Sequence, residues 1–280
     1  NYQILDWLNV SGRVRLDNSN NDYTEKAYAS TNTQLTELSD RGLYGISRSY
    51  EKQLYADFLV SVNKTFGEKW SLQANMGGSF TDMRYDEMAV RGPIADDSKT
   101  FAGEKAGLTN GFYIQYHSIF ASAEVGYHST YYVTLSGRNV WPSQLAGRNS
   151  VNKSFFYPSV GMSVVLSELM PKLNKDYLSY WKIRGSFASV GTAFERYIAN
   201  PLFAWNTSIG QWSNLTDFPV YDLKPERTNS FEVGMNMRFL KNFELDVTYY
   251  NAKTMNQTFN PELPVGEYAR IYIQTGAVRN

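Results

Sequence analysis

The chain has 280 residues, 27 basic and 27 acidic side chains, two histidines and no cysteine. Balanced charge argues against a nucleic-acid-binding face, and the missing cysteines exclude a disulfide framework or a thiolate metal site. No apolar run is long enough for a transmembrane helix, which leaves room for a membrane barrel, whose strands are only half apolar. With 21 Tyr and 16 Phe, the composition suits many strands.

The opening Asn1-Tyr2-Gln3-Ile4 carries no signal peptide and reads as the interior of a longer protein. A first strand is expected from Leu8 to Asp17, with Leu8, Val10, Val14 and Leu16 on one face. A polar connection is expected from Asn18 to about Lys52. Leu54, Ala56, Phe58, Val60 and Val62 then alternate with Asp57, Ser61 and Asn63. A tight turn at Thr65–Lys69 leads to Trp70, Leu72, Ala74, Met76 and Phe80. A second long connection is expected from Thr81 to about His117. Ile119 to Tyr127 and Tyr131 to Gly137 form a pair around His128-Ser129-Thr130. Phe156–Leu166 and Trp181–Phe187 follow, joined by the looser Ser167–Tyr180.

After a long loop from Thr192 to about Glu226 comes the clearest hairpin. Phe231, Val233, Met235, Met237 and Phe239 alternate with Glu232, Gly234, Asn236 and Arg238. Beyond Leu240-Lys241-Asn242, Phe243, Leu245, Val247 and Tyr249 alternate with Glu244, Asp246 and Thr248. Each strand is about ten residues long, the length a tilted membrane-spanning strand needs. A further strand is expected near Arg270–Gly276.

Short and long connections alternate along the chain, as they do when tight turns lie at one rim of a barrel and large loops at the other. Charges within the strands, including Arg13, Glu124, Lys182, Arg184 and Glu232, keep to the polar phase. That sorting is expected where a charge facing lipid costs about 2–4 kcal/mol. Apolar-phase aromatics at strand ends, such as Trp70, Tyr127, Tyr131 and Phe239, fit interfacial girdles. The reading is all-β: an antiparallel transmembrane β-barrel, of which this chain supplies an arc of roughly 9–10 strands.

Four segments carry a family resemblance. They are Tyr132–Asn139 with Ser154–Val160, Tyr180–Gly191, the Leu223-Lys224-Pro225-Glu226-Arg227-Thr228 hairpin entry, and Thr275–Asn280. In order and spacing they resemble the SusC/RagA family of TonB-dependent outer-membrane transporters of Bacteroidota, over roughly residues 115–280. After Arg138-Asn139, Val140 and Pro142 depart from the family pattern. The resemblance implies a plugged barrel of 22 strands, with residues 1–280 part of a single barrel domain and the plug outside this segment. It also implies TonB-driven import of oligosaccharides or peptides, a SusD-like lipoprotein lid, TonB acting through the absent plug, and surrounding outer-membrane lipid. No enzyme activity, cofactor or nucleic-acid partner is implied. Rival readings are a TonB-dependent siderophore or vitamin receptor, an adhesive or structural barrel, a barrel hydrolase and a soluble β-sandwich.

No catalytic or metal site is expected. His117 and His128 fall at opposite ends of one strand, roughly 30 Å apart at about 3.3 Å per residue. The oxygen-rich run Asp17–Asp22 fails as an EF-hand, having Tyr28 where the closing Glu belongs, and reads as a solvated turn. The long loop holds Trp205, Trp212 and Tyr221, candidates for contact with cargo or partner; packing of the loop on its neighbours is the alternative. Polar-phase Arg13, Arg15, Lys182 and Arg184 are expected to pair with Asp57, Glu124, Glu232 or a plug.

Overall fold

The computed structural model describes the chain apart from residues 33–41, 95–105, 148–149, 171, 173, 193, 204, 207–209, 214, 216, 219, 221, 223, 241, 265–267 and 280; for 106–108, 205 and 206 it describes the backbone only. Eleven strands hydrogen-bond into one sheet in which each neighbours the next in sequence. They are β1 (Tyr2–Leu5), β2 (Leu8–Ala27), β3 (Leu43–Phe66), β4 (Trp70–Gly92), β5 (Ala106–Tyr127), β6 (Tyr131–Pro142), β7 (Phe155–Val165), β8 (Leu178–Thr192), β9 (Glu226–Phe239), β10 (Phe243–Met255) and β11 (Ala277–Arg279). Every pairing in this sheet with a defined register is antiparallel.

The expected strand near Arg270–Gly276 divides in two, and neither part joins this sheet. Arg270–Ile271 pairs in parallel with Asp217–Phe218, while Ile273–Gln274 pairs with Thr258–Phe259. Within this sheet, the strands that the hydropathy pattern missed are the short edges, β1 with four residues and β11 with three.

The chain forms two compact units. The first comprises residues 1–12, 57–79 and 116–280. Its registers keep the apolar residues in phase. Val125 lies opposite Val133, Val133 opposite Met162, Leu135 opposite Val160, Val164 opposite Ile183, and Met235 opposite both Ile183 and Val247. One face is therefore an apolar belt running across the strands, and its rows stay exposed rather than meeting a second sheet: Leu135 is 55% and Met162 61% accessible. A face this apolar and this open has hydrocarbon as its natural solvent. From Tyr131 to Trp141 along β6 is about ten residues, which at about 3.3 Å each and a tilt near 40° spans roughly 25 Å, the height of a barrel's apolar band.

Aromatic rings mark the short-turn end of the belt. Trp70 and Tyr127 lie 4.5 Å apart between centroids, Tyr127 and Tyr131 6.5 Å, and Phe239 and Phe243 5.7 Å. His128 and Ser129 both take positive φ (53° each) in the β5–β6 turn, Gly67 (60°) in the β3–β4 turn and Leu240 (50°) in the β9–β10 turn. Left-handed residues let such tight connections follow the sheet's twist. Packing across the belt uses small residues as seats: a side chain at Gly137 would meet the Phe156 ring at 2.9 Å. The looser β7–β8 connection contains one helical turn, α1 (Leu166–Leu169).

The second unit comprises Arg13–Ala56 and Phe80–Gln115. Here the structure corrects the sequence expectation. Much of what read as long connections is strand: β2 continues to Ala27, β3 begins at Leu43, β4 continues to Gly92 and β5 begins at Ala106. These stretches show no apolar phase because both faces carry polar groups. In one phase Tyr113 and Gln115 donate to Asp82 (2.6 and 2.8 Å), Arg84 pairs with Asp86 (2.7 Å), and Arg48 pairs with Asp22 (3.4 Å). In the other Ser47 donates to Glu87 at 3.2 Å and Arg91 pairs with Glu25. The Gln115 and Tyr113 hydrogen bonds hold the Asp82 carboxyl below its usual pKa. The run Asp17–Asp22 is likewise strand and not a turn, with Asp17 taken by Arg15 at 2.7 Å.

Candidate functional site

In the first unit the face opposite the belt is a polar ladder tied strand to strand. Ser61 donates to Asn75 (2.8 Å) and Thr134 to Glu124 (2.9 Å), while Ser136 and Ser159 share a bond of 2.6 Å. Arg184 of β8 reaches across β9 to Asp246 of β10, donating from both terminal nitrogens (3.2 and 2.8 Å) and also to Thr248 (2.8 Å). Its path crosses Gly234, where any β-carbon would lie 2.8 Å from the guanidinium Nε. Asn236 adds donors to Glu244 (3.2 Å) and Asp246 (3.3 Å).

These pairings differ from the expected ones. Arg184 takes Asp246 rather than Glu232, Arg15 takes Asp17, and Lys182 lies over the Tyr132 ring at 6.0 Å. The deciding quantity is register: Arg184 and Thr248 both face Gly234, which brings Asp246 within reach. A face of paired, hydrogen-bonded polar groups suits contact with water and polar solutes. Among the described residues no cluster of three His, Cys, Asp or Glu is placed to hold a metal ion.

At the other end of these strands the long loops are folded together. Leu145, Phe155, Phe194, Ile198 and Ala199 form a buried cluster, with Tyr157, Val220 and Tyr272 packed against it. Phe155 and Phe194 meet edge to face at 6.1 Å. Residues 192–226 and 257–276 are knitted by the parallel bridge already noted, by Arg270 on Asp217 (2.8 Å) and by Phe218 against Tyr268 (5.2 Å). Gln274 closes the seam by donating to the Lys224 carbonyl (2.6 Å) and accepting from the Lys224 N–H (2.8 Å). Burial, reinforced by the Asp217 and Glu195 charges, raises the Tyr272 pKa.

The three residues singled out from the sequence fare differently. Trp205 and Trp212 are register partners in a pair of antiparallel two-residue strands, with Gly210 at φ 62° just before the second. Trp212 is 64% exposed, and Phe203 beside these strands 57%. Tyr221 lies outside the described residues. Phe194 and Ile198 are buried in the loop cluster, and neither carried a signal in a stretch read simply as loop.

Long antiparallel strands with one apolar exposed belt, one polar face, tight turns at one end and folded loops at the other are the wall of an outer-membrane-type β-barrel. A family model described as TonB dependent receptor-like, beta-barrel, matches residues 1–280, and the chain belongs to that family, whose members are barrels of Gram-negative outer membranes. No curated protein matches the sequence.

Among solved structures, the RagAB peptide importer in its open-open state aligns with a TM-score of 0.83 at 18% identity, over 99% of this chain and 31% of that one. Its closed-closed state aligns at 0.81 and 16%, with the same coverage. The siderophore receptor PiuA from Acinetobacter baumannii aligns at 0.56 and 13%, over 99% of this chain and 41% of that one. The chain thus spans about a third of the importer chains it matches, and at these identities the likeness is one of fold.

Proposed function

We propose that the chain is wall of a SusC/RagA-type transporter of Bacteroidota that imports oligosaccharides or peptides across the outer membrane, driven through TonB and a plug held elsewhere in the protein. A SusD-like surface lipoprotein works with it as a lid on the long loops. The protein moves its cargo without breaking bonds in it. One observation carries this reading over its rivals: 99% of the chain superposes on the importer wall at 0.83, against 0.56 for a siderophore receptor. The four sequence segments that resemble the same family point the same way.

Trp205, Trp212 and Tyr221 are the proposed contacts, with Trp212 offering an exposed indole. The test is purification of the whole protein from membranes. Detergent extraction together with a co-purifying lipoprotein is expected, and Trp212→Ala is expected to weaken that association or cargo uptake while the barrel still assembles. Isolation as a lone barrel that takes up ferric chelates would favour the siderophore or vitamin receptor. An adhesive barrel would show no uptake. Recovery in the soluble fraction would exclude every membrane reading.

A further inference from the structure

The polar face of the first unit carries Arg138 on β6, Arg184 on β8 and Arg238 on β9, and they are not equivalent. Arg184 is taken by Asp246 at 2.8 Å and Arg238 by Glu244 at 3.6 Å. Arg138 has no carboxylate at ion-pair distance among the described residues. Elsewhere a strand arginine finds its counter-charge two residues on, on the same face: Arg15 in Asp17 and Arg84 in Asp86, each at 2.7 Å. Two residues on from Arg138 stands Val140.

Arg138 is nevertheless held in place. Its Nη2 donates to the Ser118 hydroxyl at 2.9 Å and to that of Ser79 at 3.3 Å, and these two hydroxyls share a bond of 2.7 Å. The guanidinium lies over the ring of Phe120, its register partner on β5, at 5.8 Å. Phe120 in turn sits over Gly77, where a β-carbon would stand 2.9 Å from the ring's Cζ. Ser118 is buried, while Arg138 itself is open to solvent. The Nε and Nη1 hydrogens stay unspent among the described residues. So does one hydroxyl proton, because a bond between two serines uses only one of their two. A cation fixed in advance, with donors to spare, is a receptor for an oxyanion, and little side-chain freedom is lost when one binds.

We propose that Arg138 selects cargo by charge, taking a carboxylate of the solute on its free nitrogens with help from the Ser79–Ser118 pair. Acidic peptides or uronate-bearing oligosaccharides are then preferred to neutral ones. A carboxylate is the anion that both classes of cargo present, and guanidinium is its natural partner. The inference rests on the import reading of the polar face and deepens it by naming the charge of the cargo. A carboxylate of the plug has the same chemistry, and the test separates the two sources.

The test uses the whole protein in detergent, offered an equimolar library of random heptapeptides and, separately, an equal mixture of neutral glucan and polygalacturonate oligomers. Retained solute is identified by mass spectrometry. Acidic members of whichever set is retained are expected to be enriched about threefold to fivefold, the range that an ion pair open to water supplies. R138Q is expected to lose the enrichment while neutral members are retained as before, and R138K to keep part of it. V140D, which places a carboxylate where Arg15 and Arg84 have theirs, is expected to lose the enrichment with Arg138 still present. Enrichment that survives R138Q overturns the site. No enrichment in the unaltered protein, together with faster proteolysis of the plug in R138Q, assigns the arginine to the plug and overturns its role toward cargo. Should V140D fail to assemble, R138Q and R138K decide. Retention of neither set defeats the import reading itself, a different result from retention without preference for acid.

Discussion

The two units are built from the same strands in part, yet they obey different solvents. In the first, β5 and β6 alternate strictly, so that Ala123, Val125, Val133 and Leu135 share one face and Glu124 and Thr134 the other. In the second, β4 and β5 continue as strands while Asp82, Arg84, Tyr113 and Gln115 occupy one phase and Glu87 and Arg91 the opposite one. Hydrogen bonding along the ladder is indifferent to this change. What changes is what the side chains face: an alternating apolar row signals hydrocarbon on one side, and its loss signals water on both.

The contrast is most exposed to a charge placed in the same phase of each unit. Leu135→Arg puts a guanidinium into the belt and is expected to cost about 2–4 kcal/mol of folding free energy in bilayers. Met88→Lys, on a side chain 60% accessible in the second unit, is expected to stay within about 0.5 kcal/mol. Reversible unfolding in lipid vesicles measures both. Equal costs would mean that the two units see the same solvent, and the membrane assignment of the belt would fail.

A smaller effect sharpens the comparison within the belt. At Gly137 a methyl group would press on the Phe156 ring at 2.9 Å, whereas at Gly161, also on a belt-crossing strand, its nearest neighbour stands at 3.8 Å. Gly137→Ala is expected to destabilise by about 1–3 kcal/mol through overpacking. Gly161→Ala is expected to be neutral or slightly stabilising, since alanine removes backbone freedom from the unfolded chain. The same unfolding assay reads the pair. Smaller still is the β5–β6 turn, where Ser129→Gly relieves a left-handed serine and is expected to stabilise by up to about 1 kcal/mol.

How much of this was legible follows from the same contrast. The β9–β10 hairpin, its turn at Leu240 and the pairing of Phe239 with Phe243 could be read from alternation alone, because lipid on one face writes a two-residue period into the chain. The distal parts of β2 to β5 could not, because water on both faces writes none. The loop seam stayed hidden for another reason: Asp217 with Arg270 and Phe218 with Tyr268 join segments about fifty residues apart, a pairing that no local pattern encodes. Of the candidate contacts, the sequence identified exposed Trp212 but gave no hint that Phe194 and Ile198 would bury themselves beneath the loop.

The gentlest test concerns pH and should touch only the second unit. Gln115 and Tyr113 hydrogen-bond the Asp82 carboxylate and lower its pKa, so the folded state prefers the ionised form more than the unfolded chain does. The sign follows: the stabilisation is complete above the ordinary carboxylate pKa near 3.8 and is lost as pH falls through the lower folded value. Between pH 6 and strongly acid conditions, amide exchange around residues 82 and 113–115 is expected to speed up, while the Val125–Val133 pairing in the belt holds. Asp82→Asn is expected to show the faster exchange already at pH 6 and to lose the acid dependence. Because Asp82 is only partly buried, solvent screening keeps the effect small, and salt should shrink it further. A belt that loosened in step with Asp82 would mean that protonation elsewhere governs both units, and the separate solvent environments argued for them would not account for their stability.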